Sequence, residues 1–538
     1  MKNILAIFST IVLITTSSCE LDLQQDPNAL SPESASVEFV LNSVQFGIKD
    51  WYFEATEPSM EMVRMRAANP RADTYAGWKQ PQDFDDLWEL TYVTLLSDVH
   101  TLIGLAEEKE LFMHAGMGRT LRAFVLMNMV DLFGDIPLTE AIDPDILEPS
   151  LDDGASIYAF VDQDLQTAIT NFGQGGVAPT ADIFYSGDAD DWIALANTLR
   201  MRSEVTRKLV GGSGATVASL ASTAITSGQD FVFAHSTVSA APDSRHEYFI
   251  DNYIGGGSDY QSNYFMWLLT GETRPYDLPD PRTRYYFYRQ ADEHTTDVNE
   301  MNCVQETRPD HYPASHVWCQ DFLPPGYWGR DHNDTDGIPP DNQLRTLFGV
   351  YPAGGRFDDD SFEPGDPETG LMGAGIHPLM MSFYVDFMMA EAIMTMGAPG
   401  DAASHLEAGI RGSIDYVMNF GSSVADEDLI PTNTQVNTYV SNVMAEFNDP
   451  DTNEDRRLDI LSEQYLVALF GNGVEAMNYY RRTGRPSGIQ LPLVSQPGDF
   501  TRSFWYPASA VNTNNNIEQK ATLNNANVFW DTNPNALN

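Results

Sequence analysis

Several aromatic side chains lie in polar stretches of the sequence that show no helical periodicity. Trp78 follows Asp73 in RADTYAGWKQPQDFDD, and Trp318, Tyr327 and Trp328 lie in HYPASHVWCQDFLPPGYWGRDHND. Exposed rings of this kind can stack on the apolar face of a sugar ring, because they offer a large flat surface at a small entropic cost. We therefore treat these four rings as candidate ligand contacts, together with Asp73.

The second stretch also contains polar groups that could hold the hydroxyls of a ligand. A Pro-Pro-Gly turn precedes Tyr327 and Trp328 and is expected to present both rings outward. Arg330 and Asp331 follow directly and offer hydrogen-bond donors and acceptors. The alternative is that these aromatic side chains pack a long loop onto the body of the protein.

Metal and cofactor sites are not predicted. Residues 331–337, DHNDTDG, faintly resemble a calcium loop, because acidic residues alternate before a glycine. The twelfth position of such a loop holds a bidentate glutamate, but position twelve counted from Asp331 is Asn342. We therefore expect no metal ion and no cofactor.

Catalytic motifs are missing as well. The sequence contains no HExxH, GxxxxGK[ST] or GxSxG pattern. A carboxylate pair for glycoside hydrolysis cannot be singled out, because acidic residues occur throughout the chain. We predict that the protein is not an enzyme. The alternative hypothesis is a secreted glycoside hydrolase that uses an acidic residue pair.

The cysteines are few and widely placed. Cys303 and Cys319 are 16 positions apart in the least periodic part of the chain. In an oxidising compartment this pair is expected to form a disulfide, worth roughly 3 kcal/mol for a loop of that size. A zinc site is the weaker alternative, because the spacing is wrong and no further cysteine is at hand.

The N-terminus has the features of a secretory signal. Lys2 precedes an apolar run from Ile4 to Ile14, and small residues lead to Cys19. The end of this segment resembles a bacterial lipoprotein signal, although Thr16 stands where leucine is usual. The resemblance implies cleavage before Cys19 and acylation of that residue, which would anchor the chain durably in a membrane. The alternative is an ordinary cleaved signal.

The composition limits the partners. The chain has 538 residues, of which 42% are hydrophobic, so it can build a large core. It carries 77 acidic against 30 basic residues. Such an excess repels polyanions, so nucleic acid is not expected as a partner, and sulfated or uronate-rich polysaccharides are poor candidates.

Helical periodicity dominates both ends of the chain. Val37, Val40, Leu41, Val44 and Ile48 recur at helical spacing, and a helix is also predicted around the apolar positions of 157–169. Further helices are predicted over residues 87–107, 119–133, 190–210, 378–396, 401–419, 433–447 and 455–480. Helix pairs with short turns favour an α-solenoid, although no 34-residue repeat is visible.

The middle of the chain has a different texture, with many Gly, Pro, Asp, Tyr and Trp residues and no long periodic runs. The expected organisation is a signal peptide (1–18), a lipidated tether (19–35), an N-terminal helical region (36–210), a loop-rich insertion (211–375) that would bind the ligand, and C-terminal helices with an extended tail (376–538).

Five segments together resemble the SusD/RagB family of outer-membrane nutrient-binding lipoproteins of Bacteroidetes. They follow one another in the family's order and span nearly the whole mature chain. The segments are RTLRAFVLMNMVDLFGDIPLTEA (119–141), DIFYSGDADDWIALANTLRMRSEVTR (182–207), FYVDFMMAEAIM (383–394), EQYLVALFGNGVEAMNYYRRTGRP (463–486) and RSFWYPASAVNTNNN (502–516).

The resemblance implies an all-α body of tetratricopeptide-like helix pairs packed against a large, loop-rich irregular region. It also implies a lipid-anchored position at the cell surface of the outer membrane, on top of a TonB-dependent, SusC-like transporter. The expected function is capture of an oligosaccharide or polysaccharide for that transporter. The acidic charge favours a neutral ligand, and our specific expectation is a β-glucan such as laminarin.

Overall fold

The computed structural model describes residues 36–68, 72–255, 260–270, 278–335, 344–523, 526–535 and 537. The predicted signal peptide, tether and lipid-bearing Cys19 lie outside these residues. The helices are α1 (Val37–Met62), α2 (Tyr75–Trp78), α3 (Asp85–Glu89), α4 (Leu96–Glu108), α5 (Phe112–Phe133), α6 (Gly154–Gln174), α7 (Ala189–Thr206), α8 (Gly214–Ala221), α9 (Glu247–Tyr253), α10 (Asn263–Thr270), α11 (Thr283–Tyr286), α12 (Ser382–Met396), α13 (Ala402–Phe420), α14 (Asn433–Asn448), α15 (Glu454–Ala468), α16 (Gly473–Thr483) and α17 (Ala508–Thr513).

Few residues of the described chain are in strands. Strand β1 (Phe231–Ala234) pairs with β4 (Ile376–Met380), and β2 (Phe287–Tyr288) pairs with β3 (Leu347–Phe348), both antiparallel. Single turns of other helix types occur at Pro81–Phe84, Leu90–Leu95 and Asn302–Gln305. The prediction of an all-α fold is confirmed.

Polar side chains fix the starts of the long helices. Asp153 accepts a hydrogen bond from the backbone of Ser156 at the start of α6, and Asp188 does the same for Asp190 in α7. Thr432 and Gln435 form a reciprocal capping box at the start of α14. Each cap satisfies an amide that the helix itself leaves unpaired.

Neighbouring helices pack as pairs along the chain. Helix α5 packs against α4 and α6, α6 against α7, and α7 against α8. Near the other end α12 packs against α13, α13 against α14, and α16 returns to α1. The buried apolar side chains of these helices form one continuous core that runs from Val37 to Leu537.

Several helix boundaries differ from the prediction. The helix expected over 119–133 begins at Phe112, the one expected over 87–107 is divided by the turn at Leu90–Leu95, and the one expected over 190–210 ends at Thr206. The helix expected over 455–480 is two helices, α15 and α16, because Gly471 adopts a left-handed φ of +94° and Asn472 caps the next helix at Glu475. The helix expected from residue 378 begins at Ser382, since residues 376–380 form strand β4. An apolar run alone does not distinguish a buried strand from a helix.

The stretch 211–375 contains short helices, both small sheets and long irregular connections. Most of its apolar side chains are buried against the helical body. The C-terminal tail also packs on the body. Trp530 is fully buried, and its indole nitrogen donates to Asp131 Oδ1 at 2.9 Å.

A buried ion network joins distant parts of the chain around that aspartate. Arg202 of α7 lies 2.8 Å from Asp131 and 2.7 Å from Glu475 of α16. Arg482 lies 3.0 Å from Glu475 and 2.9 Å from Glu391 of α12. All five side chains are buried. The network therefore ties α5, α7, α12 and α16 together in the core.

Candidate functional site

The three candidate tryptophans lie inside the protein rather than on an exposed platform. Trp78, Trp318 and Trp328 are only 1%, 4% and 1% exposed. The Trp78 indole donates to Glu61 Oε2 at 2.8 Å, so its polar edge is satisfied by α1. The expectation that these rings and the ring of Tyr327, which is 5% exposed, are displayed to solvent is wrong, because a long irregular segment buries its own aromatic side chains to stay folded.

Trp318 and Trp328 belong to a small apolar cluster beside the main core. The cluster includes Tyr260, Tyr312 and the two cysteines, which form the predicted disulfide Cys303–Cys319. Tyr312 meets the Trp318 ring edge-on at 6.1 Å. The bridge thus closes a loop around rings that pack against one another.

Arg330 and Asp331 are also buried, at the edge of this cluster. The Arg330 guanidinium lies 4.7 Å from the centre of the Tyr260 ring and 3.1 Å from Asp334. Asp331 accepts hydrogen bonds from the Cys319 amide at 2.9 Å and from Gln490 at 2.6 Å. Burial raises the pKa of Asp331 to about 7. Both side chains hold the loop to the body instead of facing solvent.

The structure does bring the two predicted segments together. The backbone of Arg66, which leads toward Trp78, forms an antiparallel bridge with Gln261. The Arg330 amide donates to the Gln261 carbonyl at 3.0 Å. Asp73 is half-buried in the turn before α2. The ring of Tyr75 lies 5.9 Å from that of His332, so the two segments meet there. Trp78, however, packs in the main core rather than in the cluster of Trp318 and Trp328, and Tyr327 lines a separate cavity.

Polar atoms without partners are concentrated in this neighbourhood. Buried side-chain atoms of Gln261, Asn263, Trp328, His332 and Asn333 have no hydrogen-bond partner among the described residues. Native interiors rarely leave such groups unpaired, so each one calls for a ligand or an ordered water. The neighbourhood has hydrogen-bonding capacity in excess of what the described chain satisfies.

Tyr327 lines a cavity of about 950 Å³ on the other side of the irregular region. Leu278, Pro279, Pro281 and Pro324 give it apolar walls. The connection between α13 and α14 completes it with Asp428, Leu429, Ile430, Pro431, Thr432 and the first turn of α14. The volume is that of a site for a sizeable small molecule.

The wall of this cavity is held by ion pairs. Arg289 Nε lies 2.7 Å from Asp358, and both nitrogens of the Arg284 fork lie 3.0 Å from Asp360. The Tyr327 hydroxyl donates to Asp358 at 3.0 Å. Burial and the neighbouring Asp358 charge raise the pKa of Tyr327, so this hydroxyl stays protonated.

A second ring belongs to the same arrangement. The Arg289 guanidinium lies 4.8 Å from the centre of the Tyr327 ring and 5.1 Å from that of Phe362. Phe362 is half-buried and has a left-handed φ of +54°. A bulky residue rarely adopts this backbone region, and such strain tends to occur at functional positions. We call Tyr327, Arg289 and Phe362 the ring stack.

Another cavity, of about 720 Å³, lies between α8, α12 and α13. Tyr416 and Phe420, one turn apart on α13, line it as half-buried rings. Acidic side chains of Asp230, Asp386 and Asp415 surround them.

Two family models match long stretches of the chain. One, described as "Starch-binding associating with outer membrane", matches residues 27–310, and the other, "Susd and RagB outer membrane lipoprotein", matches residues 376–530. The chain belongs to the SusD/RagB family. The resemblance read from the five sequence segments is confirmed.

Solved structures of this family share the fold. A SusD/RagB family protein of Bacteroides thetaiotaomicron is 16% identical, with a TM-score of 0.67, over 93% of this chain and 100% of that one. A SusD homologue of Bacteroides fragilis is 16% identical, with a TM-score of 0.65, over 92% and 99%. A chitin-binding SusD homologue of Flavobacterium johnsoniae is 16% identical, with a TM-score of 0.62, over 92% and 99%.

None of the curated proteins compared with the sequence matches it. Membership of the SusD/RagB family gives the chain a carbohydrate-binding role, and the helix pairs are the tetratricopeptide-like body of that family. Its members bind glycans without catalysis, so the chain is not an enzyme. Within the described residues, no helix has the length and apolarity needed to cross a bilayer.

Sequence reasoning found Tyr327 but missed the other members of the ring stack. Phe362 lies in the acidic stretch DDDSFEPGD, and Arg289 follows an apolar helix and strand. A lone phenylalanine among acidic residues indicates a ring that is not part of a buried apolar stripe. Its proximity to residue 289 cannot be read from the sequence, because no periodic pattern joins the two segments.

Proposed function

We propose that this SusD/RagB protein is a cell-surface lipoprotein that captures a neutral glycan in the cavity beside the ring stack. The observation that carries the site is the 950 Å³ cavity with Tyr327 and Arg289 in its wall and the half-buried Phe362 ring packed on the same guanidinium. No other described cavity combines this volume with a ring held by an ion-paired arginine.

The composition of the cavity suits an oligosaccharide. Leucine and proline side chains supply rigid apolar surface for the CH groups of a sugar. The half-buried Phe362 ring packs on Arg289, which lines the cavity. Arg284, Asp428 and Thr432 supply donors and acceptors for hydroxyls. Preformed walls of this kind reduce the entropy lost on binding.

The charge supports a neutral ligand. The two arginines of the cavity wall are already paired with Asp358 and Asp360, so they leave little positive charge for an anion. The chain as a whole has 77 acidic against 30 basic residues. An anionic polysaccharide would be repelled at long range. A β-glucan such as laminarin remains our specific proposal.

The remaining parts of the proposal concern location and delivery. The family descriptions name the outer membrane and a lipoprotein, and Cys19 follows a signal-like apolar run. Acylated Cys19 would hold the chain at the cell surface beside a TonB-dependent, SusC-like transporter, which receives the glycan. Release of the chain from membranes by Cys19→Ala and co-purification of a β-barrel with the wild type test these two steps.

Replacement of Phe362 tests the glycan site. We expect Phe362→Ala to weaken retention of laminarin in affinity electrophoresis about fivefold, since a stacked ring is worth on the order of 1 kcal/mol. Phe362→Tyr should retain wild-type affinity. Tyr416→Ala removes a half-buried ring from the other cavity and serves as the matched control, with unchanged affinity.

Three outcomes would contradict the proposal at different levels. Loss of retention in Tyr416→Ala but not in Phe362→Ala would move the site to the cavity on α13. Retention of sulfated or uronate polysaccharide in place of neutral glycans would refute the ligand class. A wild-type chain that retains no polysaccharide at all would refute the function. Circular dichroism of each variant confirms that it is folded.

A further inference from the structure

A cluster of three histidines and one glutamate lies at the end of the β1–β4 sheet. His235 directly follows β1, and His377 lies in β4 opposite Phe233. His246 and Glu247 begin α9. One potential ligand atom from each of the four lies within 4.8 Å of the others.

The cluster contains buried atoms with lone pairs that have no hydrogen-bond partner among the residues that the structure describes. These atoms are His235 Nε2, His377 Nε2 and Glu247 Oε2. Both imidazoles are more than nine-tenths buried, at 7% and 2% exposed. Glu247 Oε2 lies 3.3 Å from His377 Nε2 and 3.8 Å from His235 Nε2. Three ligating atoms thus converge on one point in the interior.

The surrounding hydrogen bonds orient these atoms. His235 Nδ1 lies 3.3 Å from the Ser244 carbonyl, so that nitrogen carries the proton and Nε2 keeps its lone pair. Lys49 Nζ lies 2.9 Å from Glu247 Oε1, which leaves Oε2 for the cluster. Bonds from the far side of an imidazole or carboxylate are the usual support of a metal ligand.

His246 is not one of the ligands. Its Nδ1 accepts a hydrogen bond from the Tyr248 amide at 3.1 Å, so the lone pair on that atom is already used. The ring lies 4.8 Å from that of His377 and 4.7 Å from that of His235. It therefore forms a wall of the site and does not belong to the converging set.

We infer that His235, His377 and Glu247 form a binding site for a divalent first-row transition metal, with zinc as the expected ion. Zinc bonds to imidazole and carboxylate are about 2.0–2.2 Å long, which puts tetrahedral ligand atoms about 3.3 Å apart. Two of the three separations between these ligand atoms are 3.3 and 3.8 Å and the third is no more than 4.8 Å, so binding requires the atoms to move closer together. Two histidines and one carboxylate leave a fourth position for water.

The site has a route to solvent and a structural role. Glu247 also lines a cavity of about 380 Å³ together with Phe53, Glu57, Arg66 and Tyr248. An ion bound there would fasten α9, at the start of a long irregular stretch, to the sheet that borders α12. The sequence patterns predicted no metal, because the ligands come from three segments and His377 lies 130 positions after Glu247.

Metal titration tests this inference. The untagged mature chain is stripped with chelator and titrated with Zn²⁺ against a chromophoric competitor. We expect one tightly bound equivalent, a melting temperature that rises with Zn²⁺ but not with Mg²⁺, and at least 100-fold weaker binding in His377→Gln and Glu247→Gln. His405→Gln is the matched control, because His405 pairs with Asp386 away from the cluster, and it should bind as the wild type does.

Co²⁺ spectroscopy on the wild type covers the case in which a variant fails to fold. A tetrahedral Co²⁺ spectrum that Zn²⁺ abolishes would support the site. A chain that binds no stoichiometric Zn²⁺, or that binds it equally well after both substitutions, would overturn the inference and leave an ordered water as the occupant of the cluster. Neither result depends on glycan binding, so the metal titration and the test of the proposed function are independent.

Discussion

At the scale of single residues, the partner of a polar atom decides where an aromatic side chain lies. The segment around Trp78 is polar and non-periodic, and its local pattern predicts exposure. The structure buries the ring because Glu61 of α1 accepts its indole proton. Because this acceptor lies 17 positions away on another helix, the residues around Trp78 do not reveal it. Trp318 and Trp328 face inward for another reason, because they pack in the small apolar cluster beside the Cys303–Cys319 disulfide. That disulfide was predictable from the cysteines alone.

Glu54 supplies a prediction at this scale. Burial raises its pKa to about 7, and the charges of Glu57 and Asp86 add to the effect. The nearby cations Arg66 and Lys79 are engaged by Glu57 and Glu61. The carboxylate of Glu54 therefore destabilises the fold when it ionises.

We expect Glu54→Gln to raise the free energy of unfolding at pH 8 by on the order of 2 kcal/mol. In the unfolded chain this carboxyl titrates near pH 4.3, so the folded protein holds the extra proton between that pH and about pH 7. Wild-type stability falls across that window, and the advantage of the variant grows over it and is constant above.

Urea denaturation of both proteins at pH 4, 6 and 8 measures this difference. Glu108→Gln, at an exposed position of α4, is the control and should change nothing by more than about 0.5 kcal/mol. An advantage of Glu54→Gln that is equally large at pH 4 would show that ionisation is not its cause.

At the scale of elements, the sequence predicted most long helices and missed what interrupts them. Periodicity identified α13 and α14 to within one residue at each end, because an apolar stripe buried on one side requires that spacing. It placed the end of α5 correctly but its start seven residues too late, because this helix is buried on nearly all sides and has no such stripe. It joined α15 to α16, since the apolar pattern continues through the break. It could not show β4, whose partner β1 lies more than a hundred residues earlier.

Gly471 makes the break between α15 and α16 testable. Its φ is +94°, and an added Cβ would lie 3.0 Å from Pro378 Cγ and 3.1 Å from Pro352 Cγ. We expect Gly471→Ala to lower the free energy of unfolding by about 2 kcal/mol or more, from backbone strain and crowding together.

Thermal unfolding of Gly471→Ala beside Gly104→Ala checks this expectation. Gly104 lies at an exposed position inside α4, and nothing lies within 4 Å of its Cβ position. Alanine there should stabilise the protein by roughly 0.5–1 kcal/mol, because it favours the helix. Equal effects of the two substitutions would mean that the left-handed turn does not set the break.

At the scale of the whole molecule, the buried ion network connects segments that the family resemblance had singled out separately. Arg202 came from the second segment, Glu391 from the third, and Glu475 and Arg482 from the fourth. The sequence showed that these residues recur in the family's order, but not that they contact one another. Contact between residues as far as 273 positions apart, as in the pair of Arg202 and Glu475, depends on how the helix pairs pack on one another.

Replacing one buried member of this network should lower the free energy of unfolding far more than replacing an ion-paired residue on the surface. Arg482 donates two hydrogen bonds to Glu391, both 2.9 Å long, and neither side chain is exposed. We expect Arg482→Met to lower the free energy of unfolding by about 3–5 kcal/mol, because Glu391 keeps only Lys208 as a cation within reach.

Glu391→Gln alone should also destabilise the protein. The double variant should lose less than the sum of the two single losses by about 1 kcal/mol or more, because each single change leaves a buried charge with fewer partners and the second change removes that charge. Arg411→Met, which breaks an exposed pair with Glu407 on α13, is the control and should cost under about 1 kcal/mol. Strict additivity of the two buried substitutions in urea denaturation would show that Arg482 and Glu391 stabilise the fold independently, and the network would then not be the link between α12 and α16.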